Sequence, residues 1–214
     1  MLTFTGCGGE NSSTDKKNST PEKVSEQTSS NADKKTDAEK ISGKVLVAYF
    51  SRADDNYNVG IIEKGNTKII AEIIAEKTGA DIFEIKPVKS YPVDYKECTE
   101  IAKTEKENNA RPEILEPLPN IQDYDTIFLG YPIWWGDLPM LLYTFIEKEN
   151  FAGKTIIPFC THEGSGLGGT ESFIAKKIPD AKVLQGLAIR GSVAQNEQDK
   201  AKSDIENWLK DFSD

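Results

Sequence analysis

KVLVAYFS, residues 44–51, is the stretch on which the fold turns. From Val45 to Phe50 every side chain is apolar or aromatic. A strand with one wet face alternates apolar and polar residues, so an unbroken apolar run predicts a strand buried on both faces. The next periodic segment, NTKIIAEIIAEKT at 66–78, places Ile69, Ile70, Ile73 and Ile74 on one helical face, with Gly79 at its stop. A second strand is predicted at 81–86. A helix follows at 94–108, with Tyr95, Cys98, Ile101 and Ala102 sharing a face. DTIFLG at 125–130 reads as the third strand, and 138–146 as a helix packed through Leu141, Leu142 and Phe145. KTIIPF at 154–159 reads as the fourth strand. Pro158 cannot donate to a ladder, so the chain is expected to be leaving the sheet there. A short helix at 170–177, a fifth strand at 182–187 and a last helix at 197–212 complete the pattern. Ala201, Ile205, Trp208, Leu209 and Phe212 lie on one side of that last helix.

Apolar strands alternating with helices predict an α/β domain whose parallel sheet is covered on both faces. Right-handed crossovers leave few topologies. Ligands in such folds sit beyond the carboxyl ends of the strands. The loops after the first, third and fourth strands are therefore the candidate site.

The chain divides by composition. Residues 8–42 run in Ser, Thr, Asn, Lys, Glu and Asp, with Val24 and Ile41 the only large apolar groups. Such a segment cannot bury enough surface to offset chain ordering. We expect a disordered polar tail over 1–42 and one domain over 43–214. Phe4-Thr5-Gly6 before Cys7 has two readings. One is the end of a bacterial lipoprotein signal, with Cys7 lipidated, the tail a tether and the domain outside the cell membrane. The other is an ordinary disordered end on a cytoplasmic protein. No stretch has the length of a membrane-spanning helix.

The chain carries a net charge of -9. The tail's seven acids and six lysines account for one of these nine charges, so the domain carries the other eight. With only Arg52, Arg111 and Arg190 as arginines, this balance argues against nucleic acid as a partner. It suits a protein partner with a basic docking patch. Cys7, Cys98 and Cys160 show no disulfide or zinc spacing. Cys160 and His162 are two apart without a further close ligand, so no metal site is assigned. No residue is assigned a catalytic role.

The loop after the first strand, 51–68, ends in Gly65-Asn66-Thr67 at a helix start. Glycine lets backbone amides converge, and a helix start supplies free N–H groups and a positive dipole. With the hydroxyls of Ser51 and Thr67, it can hold a phosphate without arginine. Plain capping by Asn66 or Thr67 explains the same residues. The loop after the third strand holds YPIWWGDLP, 131–139. Trp134 and Trp135 fit either the end of a core or a wall for a flat aromatic ligand. Adjacent residues of an extended segment point to opposite sides, so one of the two is expected to face a ligand. The loop after the fourth strand, THEGSGLGG at 161–169, contains G-x-G-x-x-G over 164–169. It lies in the wrong place for a dinucleotide turn and has no acid about 20 residues on.

YFS at 49–51, GNTK at 65–68 and YPIWWG at 131–136 resemble flavodoxins and related flavodoxin-like proteins, and the resemblance covers about 44–212. It implies a three-layer αβα sandwich with a five-stranded parallel sheet in the order 2-1-3-4-5. It implies FMN as cofactor. The phosphate would lie at Ser51, Gly65, Asn66 and Thr67, and the flavin ring between the loop holding Pro132, Trp134, Trp135 and Gly136 and the one holding Thr161, His162, Gly164 and Gly166. Amides of the last loop would meet the pyrimidine edge. His162 fits equally a solvent-exposed histidine without a role. Trp135 is the favoured stacking residue because it adjoins Gly136, whose backbone would adjust to flavin N5. Asp137 would place a negative charge nearby and favour a low potential. One phosphate nest implies FMN rather than FAD.

The sequence departs from the common family form. Thirteen residues, Arg52 to Lys64, separate YFS from GNTK, as in a long-insertion subgroup. Whether Arg52 or its successors touch the ligand is open, and Arg52 stays among the candidates. The leading functional reading is flavodoxin-type electron transfer. The alternatives are an NAD(P)H-dependent FMN oxidoreductase acting on a quinone or nitro acceptor, and an interaction module without cofactor. The partner is accordingly a redox protein or a small-molecule acceptor.

Overall fold

The computed structural model describes residues 40–212. The expectations for residues 1–39, Cys7 included, lie outside the described residues.

The elements run β1 (Val45–Tyr49), β2 (Asp54–Asn56), β3 (Gly60–Ile62), α1 (Asn66–Thr78), β4 (Asp81–Glu84), α2 (Tyr95–Glu107), β5 (Thr126–Pro132) and α3 (Met140–Lys148). There follow β6 (Thr155–His162), α4 (Thr170–Lys177), β7 (Lys182–Val183), β8 (Leu187–Arg190), α5 (Gly191–Asn196) and α6 (Gln198–Leu209). The main sheet is ordered β4-β1-β5-β6-β7, with β8 also paired to β6, and all its pairings are parallel. Counting β7 and β8 as one interrupted strand, this is the order 2-1-3-4-5.

The alternation along β1 shows why its sequence is apolar throughout. Leu46 and Ala48 join one core with Leu141, Leu142, Phe145 and Ile146 of α3. Val47 and Tyr49 join the other with Ile69, Ile70, Ile73 and Ile74 of α1 and Ala201, Ile205 and Trp208 of α6. Each fully buried aliphatic or aromatic side chain stabilises the fold by about 1.5–3 kcal/mol relative to exposure. Gly130 of β5 is required by packing: a methyl group there would run into the Phe159 ring of β6.

Several sequence expectations are corrected. Pro158 does not mark departure from the sheet, because β6 runs four residues further and is flanked on both sides. Its missing donor falls where the neighbouring strand is broken. Ile156 pairs with Val183 and Phe159 with Leu187, so the partner spends one extra residue across Pro158, a bulge. Gly186 in that bulge gives its N–H to Glu171 Oε1 at 2.6 Å. A Cβ on Gly186 would lie 2.7 Å from the Pro158 carbonyl oxygen. The fifth strand is thus β7 and β8 rather than one run over 182–187.

The third and fourth strands are longer than expected, since β5 includes Tyr131 and Pro132 and β6 includes Thr161 and His162. The last helix is two helices, α5 and α6, followed by a 3-10 turn at Lys210–Phe212. In α2 only Cys98 and Ala102 are buried, while Tyr95 and Ile101 are exposed. Finally, the insertion is not a plain loop: β2 and β3 form an antiparallel hairpin of their own.

Candidate functional site

The carboxyl ends of β1, β5 and β6 open onto a cleft of about 470 Å³, within the usual range of small-ligand sites. Of the sequence candidates, Arg52, Asn66, Pro132, Trp134, Trp135, Thr161 and His162 line it. Ser51, Gly65, Thr67, Gly136, Gly164 and Gly166 stand behind these residues in the turns that carry them.

The turn into α1 is held by close packing. Gly65 is the N-cap, with an ordinary φ of -63°. It must be glycine because a Cβ would strike Ser51 Oγ and the Arg52 carbonyl. Ser51 Oγ accepts the Lys68 N–H at 3.0 Å. Neither expected cap is made. Thr67 is buried and its hydroxyl meets that of Thr161 at 2.7 Å, while Asn66 Oδ1 accepts from Gln195 Nε2 at 2.8 Å. Gln195 also donates to the Lys64 carbonyl at 2.7 Å, so α5 fixes both sides of the glycine. Ser51 thus takes one first-turn N–H, but the N-cap residue itself makes no side-chain cap. The N–H groups ahead of Lys68, together with the dipole, keep a capacity for an anion.

The second wall is a tight turn at 134–137. The N–H of Asp137 donates to the Trp134 carbonyl at 3.0 Å, and that of Trp134 to the Asp137 carbonyl at 2.9 Å. Trp135 and Gly136 have φ of 52° and 74°, positive at both central positions, as in a type I′ turn. A bulky residue with positive φ is unusual and costs about 1–2 kcal/mol. Both tryptophans line the cleft, and it is the turn, not the alternation of an extended segment, that sets their rings apart. Trp134 packs edge-on against Phe50 and Tyr91, with ring centroids 5.4 and 4.9 Å away. Trp135 is 52% exposed, and its Nε1 donates to the Thr99 carbonyl of α2 at 2.9 Å. Lys106 braces the turn through the Trp135 carbonyl at 2.7 Å. Asp137 is no free charge. Its Oδ1 accepts from the Leu138 N–H and the Tyr143 hydroxyl, and its Oδ2 lies 3.5 Å from Lys106 Nζ.

The third wall starts at His162, the last residue of β6. Its Nδ1 accepts the N–H groups of Gly164 at 2.9 Å and Gly166 at 3.1 Å. These two amides are therefore engaged within the protein. An Nδ1 that accepts twice puts the proton of the neutral ring on Nε2. Burial lowers the imidazole pKa, as does the Arg190 charge, against an opposing pull from Glu163. Burial pushes the neighbouring Cys160 thiol up to about 12, so it stays protonated and inert.

The family model for flavodoxins matches residues 44–211. The chain belongs to the flavodoxin family. No curated protein matches the sequence. Among solved structures, a protein of Bacteroides eggerthii classed as a flavoprotein is similar at 30% identity over 80% of this chain and 98% of that one, with a TM-score of 0.64. Its counterpart from Bacteroides uniformis is 31% identical over 78% and 98%, with a TM-score of 0.62. A Lactobacillus acidophilus flavoprotein in complex with FMN is 23% identical over 74% and 98%, with a TM-score of 0.56, and shares the fold.

The sequence offers the 52–64 insertion and the 87–114 segment as builders of a pocket for a reductase, but singles out no cleft residue in either beyond Arg52. Tyr95, Cys98, Thr99 and Ala102 of α2 form one wall. Their i, i+3, i+4, i+7 spacing is visible in the sequence, but it reads as a core face. Asn56 and Tyr57 come from the inserted hairpin, whose three-residue strands are too short to carry a strand signal. The Tyr57 and Tyr95 rings stack at 6.0 Å and 29°. Arg52 anchors the hairpin. Its Nη1 donates to the Asp55 carbonyl at 2.5 Å, and Nη2 to the carbonyls of Pro92 and Val93, each at 2.6 Å. Its Nε is buried without a partner.

Proposed function

We propose that this chain binds FMN in the cleft and serves as a flavodoxin-type electron carrier. The observation that carries the reading is the juxtaposition, across one cleft of suitable volume, of the α1 start at Asn66, whose N-cap residue makes no side-chain cap, with an exposed tryptophan at 135. The first suits a phosphate and the second a flat ring. Ser51, Gly65, Asn66 and Thr67 would hold the phosphate. Trp135, Pro132 and His162 would flank the flavin ring. When bound, FMN supplies one- and two-electron chemistry, while the protein positions and tunes it. A single phosphate site favours FMN over FAD. The acidic domain suits a redox partner with a basic patch.

A second reading, an NAD(P)H-dependent reductase of a quinone or nitro compound, draws on Tyr57 and Tyr95. Their stacked pair at the cleft gives a second flat molecule an aromatic surface. Anaerobic addition of NADPH to the FMN-loaded protein separates the two. A carrier keeps its oxidised spectrum with NADPH, yet reduces readily with dithionite. Bleaching by NADPH at catalytic rates would replace the carrier reading with the reductase.

A further inference from the structure

We propose that His162, neutral and protonated on Nε2, is the latch that folds the glycine loop 163–169 against the cleft, and that ligand binding there follows the ionisation of this one ring. The ligand half rests on the FMN reading. The latch half does not.

The loop is tied at both ends. Glu163 is held by Ser192 and Asn58. Leu167 packs against the core, and its carbonyl accepts from the Thr170 N–H and hydroxyl. Between these ends, over 164–166, little besides His162 fixes it. Gly164, Gly166, Gly168 and Gly169 all have positive φ, from 59° to 149°, and glycine visits such conformations without preference. In the first half of the loop, the Cys160 thiol reaches the Gly166 carbonyl at 3.4 Å, a weak contact. The two N–H bonds to Nδ1 are the stronger restraint. The ring sits at the end of β6, where His162 pairs with Arg190 of β8, so the latch is mounted on the sheet. The same residue lines the cleft. Loop shape and cleft wall therefore share one side chain.

Protonation reverses the geometry. An Nδ1–H would face two backbone donors with no acceptor between them, and both bonds would be lost. The charged groups around the ring are Arg190 and Glu163. Arg190 opposes the imidazolium. Glu163, which favours it, is tied to the Ser192 N–H at 2.8 Å and to Asn58 Nδ2 at 3.1 Å. The sign follows. The folded pKa is lowered from 6.5, so the latch is fully present above pH 6.5 and is lost as pH falls through the folded value.

His162 is the only histidine of the chain, so a single ring is followed by nitrogen NMR of the full-length protein without added flavin. The expected result is an Nε2–H tautomer with a midpoint below 6.5, and Gly164 and Gly166 amide signals that move with the same midpoint. His162→Asn keeps an acceptor near the Nδ1 position and cannot ionise, so it should hold the loop unchanged from pH 7.5 to 5. His162→Phe keeps the bulk but not the acceptor, and should speed exchange of both amides at least about tenfold at every pH. FMN titrations complete the test. The ratio of wild-type to His162→Asn Kd should rise by about tenfold per pH unit below the midpoint. The phosphate's own ionisation near pH 6 cancels in that ratio. Glycine amides that ignore the imidazole, or that stay protected in His162→Phe, would overturn the latch. A latch with a Kd ratio flat in pH would overturn the ligand half alone. A latch in a protein that binds no flavin would overturn the ligand half and the FMN reading together.

Discussion

Gly65 has a φ of -63° and no room for a side chain, whereas Gly136 has a φ of 74° and open space around it. Both belong to turns at the carboxyl end of the sheet, and the two turns are built by opposite means. Around Gly65, Ser51, Thr67, Thr161 and Gln195 meet protein partners, and the turn is closed by packing. Around Gly136, Trp135 holds a left-handed conformation with its ring half in solvent. The strain is held by Lys106 on the Trp135 carbonyl and by Thr99 on its indole, and backbone strain kept in place this way is a pointer to function. The lesson is that the first turn is a rigid seat and the second presents a surface.

The largest effect should come from the residue that joins the strained turn to the core. Trp134→Ala removes a ring wedged between Phe50 and Tyr91, and should cost about 3–5 kcal/mol in chemical unfolding of the apo-protein. Gly65→Ala comes next. Its methyl group meets the Arg52 backbone carbonyl as well as Ser51 Oγ, so about 1–3 kcal/mol of overpacking is expected, with flavin affinity falling alongside. Were Gly65→Ala to leave stability unchanged, the rigid-seat description would be wrong.

Trp135→Ala should show the reverse balance. Flavin affinity should fall by about 1–3 kcal/mol, a magnitude borrowed from base–aromatic stacking, while apo stability changes by less than about 1 kcal/mol because the ring is 52% exposed. Equal losses in titration and unfolding would make Trp135 a structural residue and erase the contrast. Gly136→Ala, the smallest, should cost about 1 kcal/mol of stability, from the positive φ alone.

The fold was legible because long apolar runs and the Ile face of α1 leave few alternatives. The fit fails where local rules yield to tertiary ones. Pro158 forbids a ladder bond, and the structure answers with a bulge in the neighbouring strand, which no single-segment reading reveals. The α5 helix has six residues and starts on glycine, too short for a periodic signal. The hairpin at 54–62 has strands of only three residues, too short for an alternation signal, and its turn depends on positive φ at Asn58 and Gly60. At the site, Ser51, Gly65-Asn66-Thr67 and the tryptophan pair stood out by residue type and spacing. The double acceptor role of His162 did not, because it needs β6 to run on through 162 and the loop to fold back over the ring.

The central claim, that these two turns hold FMN between them, is tested most directly by titrating the apo-protein with FMN while following flavin fluorescence, with FAD as competitor. The account predicts one FMN per chain, fluorescence quenched by the exposed tryptophan and restored in part by Trp135→Ala, and little displacement by FAD. Unchanged fluorescence with no bound flavin after gel filtration, or preferential uptake of FAD, would contradict it.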